Sequence, residues 1–379
     1  MTENQSSPAG TTLAAIAARF DCIGQILSID PHGKGLINDT FLVTTTDARY
    51  ILQRINRHVF PHPRRIMANL ERIAAHIAAR PGADVRLPEL IAPVDPTRGY
   101  VEQDGHIWRM TEFVAGARVI EKIENASQGR RLGQALGAFH FALHDLAPDE
   151  IAISLPGFHL TPDYLERFDQ ILRDNDGVDQ GETMRRCIGA VDSRRTLAAA
   201  LEEPRQNARL PERVVHGDPK IDNVLFDATG EQVLSIIDLD TVQPGLIHHD
   251  IGDCLRSCCN RRGEGATDPA EIRFDLDICY AILEGYARQM REVLTPTEID
   301  LLFDGIRLMP YELGIRFLTD HLNGNRWFRV DYPKQNLDKA LVQFALLAAI
   351  EAKEPEIRGI IAECFGSATA RLTFRIPLP

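Results

Sequence analysis

The stretch VVHGDPKIDNVLF, residues 214–226, constrains this chain more than any other. Two apolar, β-rich runs flank a knot of polar groups: His216, Asp218, Lys220, Asp222 and Asn223. After a turn at DATGE a further apolar run, VLSIIDLD, ends in Asp238 and Asp240. Short buried strands on both sides hold the polar residues at fixed positions on a loop. Asp and Asn are also ordinary turn formers, so the spacing has to decide between a turn and a site.

The spacing favours a site. Asn223 follows Asp218 after four intervening residues, and Asp238 arrives fifteen residues after Asn223. Phosphoryl transfer from a nucleotide needs three such groups. One carboxylate accepts the proton of the attacking hydroxyl, while an Asn oxygen and a second carboxylate hold Mg²⁺. Mg²⁺ prefers hard oxygen donors, which Asn223 and Asp238 supply. Asp218 is therefore the candidate catalytic base. Protein kinases use the same D-x-x-x-x-N spacing followed by a second Asp. His216 is expected to orient the loop rather than react. Lys220 stands between two readings, a partner of the transferring phosphate or a solvated side chain.

The rest of the chain divides by periodicity. Within 24–55 the runs ILSI, FLVTTT and YILQRI, broken by PHGKG and TDA, predict antiparallel strands. Ile66, Leu70, Ile73 and Ile77 form a helical stripe over 63–79. LIAPV, GYVEQ and HIWRMTEFV predict further strands, followed by a link at AGARV. From 128 onward the patterns turn helical, at 128–145, 163–174, 183–201 and from 270 to the end, with a Pro-rich irregular stretch at 148–162. TPTE at 295–298 has the form of a capping box. This order predicts an α+β, two-lobed fold: a tail over 1–10, a β-rich lobe over 11–114, and a helical lobe over 115–379 that carries the hairpin 214–240.

Composition excludes some partners. The formal net charge of -12 argues against nucleic acid. No run of 18 apolar residues predicts a membrane span, and the first residues lack the features of a signal peptide. Seven cysteines without a CxxC pair fit a reducing, cytoplasmic setting. No obligate protein partner is indicated.

HGDPKIDNVLFD followed by IIDLDT resembles the catalytic hairpin of the aminoglycoside phosphotransferase/choline kinase superfamily. INDTFLVTTTDARYILQRINRHVF, DLDTVQPGLIHHDIGD and ELGIRFLTDHLNGNRWF are similar to N-acetylhexosamine 1-kinases, over roughly residues 20–345. The resemblance implies a protein-kinase-like fold, ATP and Mg²⁺ as cofactors, and an amino-sugar acceptor phosphorylated on its anomeric hydroxyl. It places a phosphate-covering loop at GKGLINDT, with Gly33 and Gly35 for close backbone approach and Asn38 and Thr40 steadying it. It expects a cation near the end of YIL, where Gln53 stands with Arg54 after it; adjacent strand residues face opposite ways, so which one faces the nucleotide stays open. Glu71 is the acid that would pair with that cation. Glu112 and Val114 would meet adenine, with Met110 beside them. Asp250 would support the catalytic loop. For the acceptor, Asp240, Tyr311, Arg316, Asp320 and Trp327 are candidates; Arg316 and Asp320 lie four apart on one helical face with Glu312. Another hydroxyl acceptor, such as another sugar, choline or an aminoglycoside, and a nucleotide-binding pseudokinase remain alternatives.

Overall fold

A computed structural model describes residues 10–33, 37–80, 85–175, 181–263 and 265–366. The tail over 1–9 and Gly35 lie outside them. The first lobe holds helix α1 (Gly10–Ala17), strands β1 (Ile26–Pro31), β2 (Asp39–Thr45) and β3 (Arg49–Arg54), helix α2 (Pro63–Ala78), and strands β4 (Val101–Gln103) and β5 (His106–Glu112). The strands form one antiparallel sheet in the order β1-β2-β3-β5-β4. Phe41, Val43, Tyr50, Leu52, Trp108 and Met110 bury one side of it against Leu13, Ile16 and Phe20. Met110 is thus a core residue. LIAPV does not form a strand; Leu90 and Pro93 make single bridges to Thr111 and Phe20. A proline and the short reach of that segment leave it a spur along β5 rather than a full ladder.

Register decides which polar residues share a face. Gln53 lies opposite Thr40 on β2 and opposite Arg109 on β5, so these three form a row across the sheet. Arg54 falls in the next row, opposite Asp39 and Trp108.

Strand β6 (Arg118–Val119) leads into helices α3 (Ala126–Leu143), α4 (Thr161–Asp174), α5 (Glu182–Asp192) and α6 (Glu202–Gln206). The hairpin strands β7 (Arg213–Val215), β8 (Val224–Phe226), β9 (Val233–Ile236) and β10 (Gln243–Gly245) follow. Helices α7 (Ile247–Cys258), α8 (Leu276–Met290), α9 (Pro296–Asp300), α10 (Leu302–Leu322), α11 (Gln335–Glu351) and α12 (Glu354–Phe365) complete the second lobe. The pattern over 183–201 yields α5 and then a separate 3₁₀ turn at Arg195–Ala199. The capping box at Thr295 forms as the sequence predicts, the Glu298 amide donating to Oγ1 and Glu298 Oε2 accepting from the Thr295 amide.

Helices α3 and α8 pack closely because each presents a glycine where they meet, Gly133 on α3 and Gly285 on α8. A Cβ on Gly133 would stand 2.0 Å from the Ile282 carbonyl oxygen, and one on Gly285 2.2 Å from that of Arg130. The pair forms a floor beneath the hairpin, where Leu132 and Leu136 join Val215, Ile221, Val224 and Phe226 in one apolar core. Substituting Gly133→Ala is expected to force the helices apart and cost about 1–3 kcal/mol, read as a lowered urea midpoint with the slope unchanged.

Candidate active site

The hairpin loop is pinned by one buried carboxylate. Asp250 sits in the first turn of α7, fully buried, rather than capping the helix. Its Oδ2 accepts from the His216 amide at 2.7 Å and its Oδ1 from the Gly217 amide at 2.8 Å. His140 Nε2, from α3, donates to Oδ2 at 2.8 Å, and Tyr286 on α8 bonds the other ring nitrogen at 2.8 Å. Burial alone would raise the Asp250 carboxyl, but these hydrogen bonds and the His140 and His216 rings prevail and hold it below its usual range. Gly217 is required at this point: its φ is +87°, and a Cβ would meet the Thr241 carbonyl oxygen at 2.8 Å.

His216 has an orienting geometry. Its Nε2 donates to the Ile237 carbonyl at 3.0 Å, so its Nδ1 accepts from the Asp218 amide at 3.3 Å. Burial lowers its pKa, in keeping with a neutral ring. The loop therefore ties itself to the strand that ends at Asp238.

Three candidate groups converge here. Asn223 Nδ2 donates to the Asp218 carbonyl at 2.7 Å and to its carboxylate at 3.1 Å. The Ile237 amide donates to the Asn223 carbonyl at 2.9 Å, which sets Asp238 beside Asn223. Asp238 itself adopts φ 62°, ψ 58°, a left-handed conformation that costs a non-glycine residue about 1–3 kcal/mol. Desolvation by the surrounding cleft, then Asp240 and Asp218, push its carboxyl up to about 7, although the residue itself keeps solvent exposure. Lys220 is not a freely solvated side chain: its Nζ donates to Asp218 Oδ2 at 2.6 Å. Burial opposes its charge, yet the Asp218 carboxylate outweighs that and raises its pKa.

Across the cleft, the row Thr40, Gln53, Arg109 faces the hairpin. Gln53 Nε2 donates to Thr40 Oγ1 at 3.1 Å, and Arg109 Nε donates to Gln53 Oε1 at 3.0 Å. Arg109 and Asp240 form a buried ion pair, and Asn38 Nδ2 donates to the other Asp240 oxygen at 2.6 Å. Asp240 is thus occupied by first-lobe residues and is not an acceptor-binding group. Arg54 lies on the opposite face, paired with Asp39, and does not reach the phosphate side. Glu71 is exposed on the outer side of α2, its carboxylate against Gly99, and pairs with no cation among the described residues. Gly33 has φ +78°, a backbone that glycine adopts freely. Glu112 ends β5 and binds Arg86 at 3.1 Å, while Val114 is buried in the link between lobes.

Beside the catalytic loop, the stretch after residue 148 supplies a wall. His159 Nε2 meets the Gly217 carbonyl at 2.8 Å and its Nδ1 meets Glu312 at 2.9 Å. Both partners only accept, so the ring carries both protons. Burial opposes that charge, but Glu312 outweighs it and raises the His159 pKa; Thr161 also donates to Glu312 at 2.7 Å. Burial works against the Glu312 carboxylate too, yet His159 and Arg316 draw its pKa down to about 2. Arg316 stands 3.6 Å from Glu312, with Phe158, Tyr164 and Phe328 rings 5.1–5.8 Å from its guanidinium. It keeps 24 % side-chain exposure, so it can still meet a ligand. Tyr311 does not line this wall: it is fully buried and its hydroxyl donates to the Val191 carbonyl. Asp320 is no ligand group either. Its two oxygens accept from the amides of Arg326, Trp327 and Phe328 and from Asn336, which uses up its capacity. Trp327 is exposed and stacks near Arg167.

Residues 28–288 match the model of the phosphotransferase enzyme family. The chain belongs to that family. A homoserine kinase of Bradyrhizobium diazoefficiens is 26 % identical over 259 residues, covering 66 % of this chain and 69 % of that protein. Among solved structures, an aminoglycoside phosphotransferase from Alicyclobacillus acidocaldarius aligns over 96 % of this chain and 99 % of its own, with a TM-score of 0.66 at 18 % identity. A spectinomycin phosphotransferase, solved with ADP and spectinomycin, covers 92 % and 99 % with a TM-score of 0.60 at 12 % identity. This likeness shows the protein-kinase-like fold. Small-molecule phosphotransfer is the activity of the family. No described helix is long and apolar enough to cross a membrane.

Sequence reasoning passed over Arg109, His140, His159 and the part Glu312 plays. Arg109 is a lone charge in an apolar strand, which was a signal; the others sit in helices or loops far from the hairpin in sequence. The His159–Glu312 pair carries a testable pH signature. Glu312 contributes stability fully above its ordinary 4.5, lost as pH falls toward about 2. His159 contributes fully below its ordinary 6.5, lost as pH rises through its raised folded pKa. Glu312→Gln is expected to cost about 3–5 kcal/mol between those limits and to flatten both edges of the stability profile, read by urea unfolding across pH.

Proposed function

We propose that this phosphotransferase moves the γ-phosphoryl group of ATP to the anomeric hydroxyl of an N-acetylhexosamine. The observation that carries the kinase chemistry is the convergence of Asp218, Asn223 and Asp238 on one pinned loop. Asp218 accepts the proton of the attacking hydroxyl. Lys220, bonded to Asp218, adds positive charge where charge develops in transfer. Asn223 and Asp238 are oxygen donors that fit Mg²⁺, and Asp238 is open to solvent with Asp218 and Asp240 close by, where a cation would offset their mutual repulsion. Among the described residues no three His, Cys, Asp or Glu side chains form a metal cage of their own. That suits an ion that takes its other oxygens from phosphates and water. When bound, Mg²⁺ would neutralise charge between the phosphates. Glu112 and Val114 lie where the adenine edge would meet the link between lobes.

The acceptor reading rests on the segments similar to N-acetylhexosamine 1-kinases and on the charge of the wall beside Asp218. His159 and Arg316 against Glu312 leave one positive charge in excess, which disfavours cationic acceptors such as choline or aminoglycosides. Arg316 on α10 is proposed to donate to the acetamido carbonyl, and the exposed Trp327, in the loop that follows α10, to pack on the sugar ring. A second reading is favoured by the homoserine kinase relatives: the same excess charge would suit the carboxylate of an amino-acid alcohol.

ADP release should be measured with Mg²⁺-ATP and N-acetylglucosamine, N-acetylgalactosamine, the parent hexoses, homoserine, choline and kanamycin. Turnover confined to the acetamido sugars, with phosphate on C1 by NMR, is expected; turnover with homoserine alone would replace the sugar by the amino acid. Asp218→Asn should fold with an unchanged circular dichroism spectrum and lose about 10²–10⁴ in kcat, whichever acceptor is used.

A further inference from the structure

We infer that Arg109, carried on β5, supplies the positive charge over the nucleotide phosphates that Gln53 of β3 cannot. The inference rests on the ATP-dependent reading above. Arg109 and Gln53 are direct partners across the β3–β5 ladder. The charge has therefore moved one strand sideways while staying in the same row and on the same face. Gln53 is the spacer: it accepts from Arg109 Nε at 3.0 Å and donates to Thr40 at 3.1 Å. That braces the guanidinium from the β2 side.

Two further observations aim this cation at the site. Its carboxylate partner is Asp240, two residues beyond Asp238, so the guanidinium points across the cleft at the hairpin. Asn38 Nδ2 holds the second oxygen of Asp240 at 2.6 Å, which stops Asp240 from rotating away.

The guanidinium also has donors to spare. An Arg side chain offers five N–H groups in a planar fork. Nε goes to Gln53 and Nη1 to Asp240, while Nη2 makes no hydrogen bond among the described residues. At 4 % exposure the group is almost wholly desolvated, which strengthens any contact with a phosphate oxygen. Among the described residues, two further cations of this region have carboxylate partners of their own. Arg54 is bound to Asp39 on the far face, and Lys220 is bonded to Asp218. A planar fork held by Asp240 on one edge can present its other edge to phosphate oxygens, a geometry that lysine lacks.

The test compares binding of ATP and adenosine, each with Mg²⁺ present, by isothermal titration to the full chain. The wild-type protein is expected to bind ATP more tightly than adenosine. In Arg109→Gln the ATP affinity should fall by about 10- to 100-fold while the adenosine affinity holds, and Arg109→Lys should recover part of the difference. Should Arg109→Gln fail to fold, the double variant Arg109→Gln with Asp240→Asn removes both buried charges and is read in the same way. Equal loss for ATP and adenosine, or no loss for ATP, would overturn the inference by reducing Arg109 to a brace between the lobes. A wild-type protein that does not distinguish ATP from adenosine would instead remove the nucleotide reading, and this inference with it.

Discussion

The Asp250 carboxylate is the constraint on which the site depends. It gathers the amides of His216 and Gly217 and the ring of His140 into one buried knot. A loop rich in acids would otherwise relax toward water, since its carboxylates repel one another. Held by Asp250, it instead presents Asp218 and Asn223 at a fixed place, and His216 ties that place to the end of the next strand. The knot is buried among α3, α7 and α8, so the stability of the helical lobe and the geometry of the loop are one quantity. A buried carboxylate is tolerable only because each of its oxygens is paired.

The cleft has a deliberate imbalance of charge. Asp218, Asp238 and Asp240 crowd one side, and Arg109 and Lys220 answer them only in part. Desolvation and the neighbouring acids raise the Asp238 carboxyl, and its left-handed backbone is a separate cost at the same residue. Sites that bind phosphates and cations accept such costs because the ligands themselves complete the electrostatics. At the neighbouring wall, where an acceptor is proposed to bind, the balance is reversed, with His159 and Arg316 around a single Glu312. The two halves of the site thus differ in sign. One suits a cation between phosphates and the other suits an oxygen-bearing acceptor.

The lobes meet through an apolar seam, with Ile73 of α2 packed against Phe139, Leu143 and Val242, and through buried polar contacts beside it. Asn38 and Arg109 reach Asp240, and Asn69 reaches the carbonyls of Ala152 and Val242. The Arg109–Asp240 pair is buried, so leaving either partner unpaired would cost about 3–5 kcal/mol. That gives Asp240 a double place in the structure, as the partner of first-lobe residues and as a neighbour of the candidate metal site.

Much of this was legible in the residues alone. The hairpin spacing of Asp218, Asn223 and Asp238, the strand runs before residue 55, the stripe of the 63–78 helix and the Thr295 capping box are all local patterns, and short-range sterics and hydrogen bonding decide them. The resemblance to small-molecule kinases followed from the same local signals. What only the tertiary structure decided was which distant side chains share a space. Register placed Gln53 beside Arg109 and turned Arg54 away, because a one-residue shift in a strand reverses its face. Packing sent Tyr311 into the core and Asp320 to a loop, though both lie on the helix that carries Arg316. It also brought His140, His159 and Glu312 to a loop more than fifty residues away in sequence from each of them. Such contacts depend on how whole elements stack, and no window of the chain contains that information.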